Sequence, residues 1–80
     1  MCIATMKSLT LAMKAKGMLE ARGIRTEIVN LDPSLTKRGC SFGISFPRDS
    51  TEEVRRTLDS KKIMYGEIIG ENRGSELVRQ

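Results

Sequence analysis

The run Thr36-Lys37-Arg38-Gly39-Cys40-Ser41-Phe42 is where this chain could do chemistry: a cysteine beside a glycine, directly after two cations and directly before a strand-like stretch. From Pro33 to Arg48 the sequence holds no Asp or Glu, while Lys37, Arg38 and Arg48 are all positive. Thiolate is the nucleophilic form of cysteine, and nearby cations favour it. Cys40 is therefore a candidate nucleophile. It has a structural reading too, because free cysteine is among the most often buried side chains. For Lys37 and Arg38 the plainer alternative is a solvated loop, and for Gly39 a simple turn.

The elements that would position this segment follow from periodicity. Cys2 to Met6 is a short apolar run that reads as a strand buried on both faces. Ser8 suits an N-cap, and the helix it opens over Leu9 to Arg22 has an apolar stripe of Leu11, Ala12, Ala15, Met18 and Leu19, with Gly23 placed to end it. Thr26 to Leu31 reads as a second strand, with Ile28 on one face and Val29 and Leu31 on the other. Asp32-Pro33-Ser34 closes it. Phe42, Ile44 and Phe46 alternate with Gly43 and Ser45, which gives a third strand with one large and one small face. Ser50-Thr51-Glu52-Glu53 has the form of a capping box for a second helix, with Val54, Leu58 and Ile63 on its apolar side and Lys61 and Lys62 in its last turn. Ile63 to Ile69 reads as a fourth strand.

This order predicts an α+β, ferredoxin-like βαββαβ two-layer sandwich: a four-stranded antiparallel sheet with two helices on one face. In that topology the first and third strands are neighbours, so Cys40 falls near Met6, Lys7 and Ser8, at the start of the first helix. The free N–H groups and positive dipole end there stabilise an anion. The parity of Cys40 with Phe42 directs it to the helix-bearing side, which also suits a buried thiol. Cys2, beside Phe46 at the other end of the sheet, lies roughly 13 Å or more away at strand rise. A disulfide needs Cα atoms within about 7 Å, so Cys2 reads as a structural residue.

The pattern Ile3-Ala4-Thr5, the helix with Ala12-Met13-Lys14-Ala15, Gly23-Ile24 and the loop into Cys40 and a Phe-ending strand resembles the selenium/sulfur carrier-like domains over about residues 2 to 69. The resemblance implies a small protein whose loop cysteine carries sulfur or selenium as a persulfide or selenopersulfide for delivery to a partner enzyme. Cys40 would be the carrier thiol, Lys37 and Arg38 would stabilise the anion, Gly39 would allow close approach, and Ser8 would support the helix end. The partners implied are donor and acceptor proteins. Many members place serines before a Cys-Gly pair, whereas here Gly39 precedes Cys40. The Cys-Pro-x-Pro motif of other sulfur carriers is absent.

Eighty residues allow one small domain, expected over 1–70 with a charged tail over 71–80 that is flexible or a short helix around Glu76 to Arg79. Such a domain buries only about 60–65% of its extended-chain surface, so association is a plausible support, and the small-residue sheet face with Val29, Leu31 or Ile69 offers a route to a homodimer. Composition, with 39% apolar and 30% charged residues, is that of a globular protein without a membrane segment, and the expected compartment is the cytoplasm. No histidine, phosphate loop or nucleophile–base pair occurs, so neither a metal, a cofactor nor independent catalysis is expected. The net charge of +4 and the element order also fit an RNA-binding domain, but a stacking platform needs exposed aromatic faces and the chain has only Phe42, Phe46 and Tyr65. A non-enzymatic interaction or regulatory module is the remaining alternative.

Overall fold

The computed structural model describes residues 1–36 and 39–70. Lys37, Arg38 and the expected tail over 71–80 lie outside the described residues. The first strand, β1, spans Cys2–Met6 and is buried along its whole length, as its unbroken apolar run requires. It leads into α1, Leu9–Ala21, capped by the Ser8 hydroxyl, which accepts from the Leu11 N–H at 3.2 Å. Ala12, Ala15 and Leu19 face inward with Leu11 and Met18 half-buried beside them, so the expected stripe is the one the helix uses.

Next come β2, Glu27–Asn30, a 3-10 turn over Pro33–Leu35, and β3, Phe42–Phe46. A 3-10 turn over Arg48–Ser50 precedes α2, Thr51–Ser60, and β4 is the pair Ile68–Ile69. All strand pairs are antiparallel, in the order β2-β3-β1-β4. Four antiparallel strands and two helices in βαββαβ order make this an α+β ferredoxin-like sandwich.

Alternation sorts the sheet into two faces. Cys2, Ala4, Met6, Ile44 and Phe46 pack with Ala12, Ala15, Leu19, Val54 and Leu58, which places both helices on one side. Ile3, Leu31 and Ile69 form a second apolar cluster on the other side, with Val29 against it. This second face differs from expectation. Its small residues suit a surface open to another chain, yet Ile3, Thr5, Leu31, Gly43, Ser45 and Ile69 are all buried. Gly43 explains part of this: a Cβ there would lie 2.8 Å from Ile3 Cγ2 and 3.0 Å from Leu31 Cδ1. The space left by the missing side chain is filled from within the same chain.

Three local expectations are corrected. Ser50 makes no side-chain cap bond, because at φ −95° and ψ 4° it already belongs to the turn, and its N–H bonds Pro47 O. The capping box is not formed. Lys61 and Lys62 fall at and beyond the end of α2 rather than in its last turn. The fourth strand is shorter than Ile63 to Ile69, because Thr5 meets two residues at once. Gly66 N–H donates to Thr5 O at 2.8 Å and Thr5 N–H to Glu67 O at 2.9 Å, while Glu67 N–H turns to Thr5 Oγ1 at 2.9 Å. That two-against-one arrangement is a bulge, and it ends regular pairing.

Candidate functional site

The site is built around the loop from β2 to β3. Asp32 opens the 3-10 turn, its Oδ1 accepting from Ser34 N–H at 3.1 Å and Ser34 Oγ–H at 2.7 Å, with Pro33 preset for the first turn position. Thr36 ends the turn and also holds the cysteine. Its Oγ1 accepts the Cys40 N–H at 2.7 Å, and its hydroxyl proton has two acceptors in reach, Pro33 O at 3.2 Å and Cys40 O at 3.4 Å. Gly39 has φ +66°, in the left-handed region that suits glycine, with open space where a Cβ would stand. The turn reading of Gly39 is therefore sufficient to explain it.

The β1–β3 register pairs Met6 with Phe42, and Leu31 N–H bonds Ser41 O at 2.8 Å. Cys40 thus enters at the end of the sheet where β1 passes into α1, the end the topology predicts. At the start of α1 the cap at Ser8 satisfies Leu11 N–H, and among the described residues the N–H groups of Leu9 and Thr10 have no hydrogen-bond partner.

The thiol itself departs from the reachable nucleophile. Cys40 is 0% exposed, although among the described residues it belongs to neither apolar cluster. Thr36 fixes the backbone of this buried cysteine through the Cys40 N–H. Cys2, also free and buried, pairs with Phe46 at the opposite end of β1 and receives the Thr51 hydroxyl at 3.8 Å. It is part of the core.

The role of Thr36 has no signature in the sequence, because local threonine motifs bond closer neighbours and this hydroxyl reaches an N–H four residues on. A cleft at the same end of the sheet is likewise not legible there. Lys7, Leu11, Met64, Tyr65 and Gly66 line about 150 Å³ there. Phe46 is a core residue and the half-buried Phe42 and Tyr65 pack against that core on the helix side, so the stacking platform of an RNA-binding domain is not formed.

A ferredoxin-like α+β domain with a lone cysteine at a loop-to-strand junction is thus the class that fold and site define. A family model described as "Putative Se/S carrier protein-like" matches residues 1–69, and the chain belongs to that family. Comparison with the curated proteins and with the solved structures finds no match.

Proposed function

We propose that this protein carries sulfur or selenium on Cys40 and passes it to a partner enzyme. The family match over residues 1–69 is the observation that supports this reading. In the transfer, the Cys40 thiolate attacks the terminal sulfur of a donor persulfide, R–S–SH. The donor S–S bond breaks, a new S–S bond forms at Cys40, and the donor leaves as thiolate R–S⁻. Sulfur moves without net oxidation, so no cofactor is needed. An acceptor thiolate completes delivery by the same step, and selenium follows with Se in place of the terminal sulfur.

The residues supply what such a step needs. The Leu9 and Thr10 N–H groups at the start of α1 favour the terminal anion, Lys37 and Arg38 add positive charge, Ser8 holds the helix end, and Gly39 gives the loop its turn. Because Cys40 is buried, transfer requires the thiol to become exposed first, and release of the Cys40 N–H by the Thr36 hydroxyl is the opening that this reading assigns. Burial of the second sheet face within one chain favours a monomer as the carrier, which size-exclusion chromatography would show.

Intact mass spectrometry after incubation with a cysteine desulfurase and cysteine tests the proposal. A 32 Da adduct is expected on the native chain and on Cys2→Ser, and no adduct on Cys40→Ser; an adduct that survives Cys40→Ser, or none at all, overturns it. The buried thiol favours one second reading, an interaction module without sulfur chemistry, which predicts no adduct on any of the three proteins.

A further inference from the structure

Both helices end in the same hydrogen-bond motif with different residues at its critical position. After α1, Gly23 N–H bonds Glu20 O and Ile24 N–H bonds Leu19 O, with Gly23 at φ +80°. After α2, Lys62 N–H bonds Asp59 O and Ile63 N–H bonds Leu58 O, with Lys62 at φ +57°. This is the Schellman ending, whose left-handed residue is ordinarily glycine because a Cβ is strained there. Lys62 is a lysine at a position where its backbone would be easier for glycine. Strain of this kind persists only where the surrounding structure over-determines the backbone, and it clusters at functional sites.

Lys62 lines a shallow groove with Asp59, Ile63, Met64 and Tyr65, and that groove shares Met64 and Tyr65 with the cleft of about 150 Å³ holding Lys7, Leu11 and Gly66. A cavity of that order accepts a benzene-sized group. Met64 is 76% exposed, an unusual solvation for a large apolar side chain. Lys7 and Lys62 are exposed, and neither has an ion-pair partner among the described residues. Two lysines against one aspartate flank an apolar slot, so the complementary occupant has carboxylates around an apolar side chain.

We infer that this groove docks an acidic segment of a partner protein, with one aromatic or aliphatic side chain in the cleft and carboxylates on Lys7 and Lys62. It deepens the carrier reading, on which it rests for the kind of partner, since Lys7 directly follows the β1 residue that pairs with Phe42 and the groove therefore opens at the Cys40 end of the sheet.

The test is an NMR titration of the reduced native chain with the peptide acetyl-Asp-Glu-Phe-Asp-Glu-amide and with its Lys-substituted counterpart, no sulfur donor being present. Saturable shifts are expected at the amides of Lys7, Leu11, Lys62, Met64 and Tyr65 with the acidic peptide alone. Lys62→Gly, which relieves the backbone, should weaken binding roughly threefold, and Lys62→Arg should hold it within about twofold. Equal response to the basic peptide, no saturable shift, or unchanged binding by Lys62→Gly overturns the inference; so does self-association through the same amides, which would make a second copy the occupant. Docking is read here without transfer, so it can fail while a Cys40 adduct forms, and succeed while none does.

Discussion

Thr36 ties down the backbone of Cys40. Its hydroxyl oxygen accepts the Cys40 N–H at 2.7 Å, and on the proposed carrier reading release of that bond is the opening that would expose the buried thiol. Thr36→Val keeps the shape and removes the acceptor. It should destabilise the fold by about 1–2 kcal/mol through the orphaned N–H. If that loss falls on local opening, thiol labelling of Cys40 in the native state should accelerate about tenfold, which stopped-flow kinetics with an aromatic disulfide would measure. An unchanged rate would mean that something other than this hydroxyl guards the sulfur. The sequence shows Cys40, its cations and its glycine plainly, because each is a residue type with a known chemical bias. It does not show burial or the bond to a hydroxyl four residues away, which depend on how the loop comes to rest.

Helices and strands divide along a similar line. The stripe of α1 and the alternation of β3 could be read directly, because burial of one face imposes its period on the sequence. The end of α2 and the length of β4 could not. Ile63-Met64-Tyr65 has the composition of a strand, but the bulge against Thr5 and the left-handed Lys62 are decided by backbone bonds formed across the sheet and around the helix end. The two helix endings give a paired expectation. Gly23→Ala should cost about 1 kcal/mol, whereas Lys62→Gly should add roughly 0.5–1 kcal/mol, since relief of left-handed strain outweighs the extra freedom of glycine in the unfolded chain. Chemical denaturation of both variants would check the opposite signs. Two losses of similar size would mean that the Lys62 side chain contributes packing that its exposure does not suggest.

The molecule as a whole places its two cysteines under different kinds of protection. Cys2 lies in the cluster that joins sheet and helices, on a strand paired along its length with β3, so full exposure of its thiol requires the core to separate. Cys40 is buried just before β3, its N–H held by Thr36. Native-state alkylation followed by mass mapping should therefore modify Cys40 faster than Cys2, and added urea well below the unfolding midpoint should accelerate Cys2 far more steeply, because its opening exposes more surface. Equal rates and equal urea slopes would place both thiols in one cooperative unit. The element order is enough to separate the two cysteines along β1 from sequence alone, since antiparallel neighbours in this topology fix which ends meet. The covered second face was harder to foresee, because Gly43 looks the same in sequence whether the space over it is filled by Ile3 and Leu31 or by another chain.

The bulge at Gly66 and Glu67 has a bearing on assembly. One margin of the sheet is the two-residue β4, interrupted at once by that irregularity, and the other is the four-residue β2 with exposed Glu27 and Asn30 at its ends. Amyloid growth and strand exchange both recruit a long, flat ladder of open amides, and among the described residues neither margin offers one. A chain so sparing with its outer amides resists conversion into fibrils even at high local concentration.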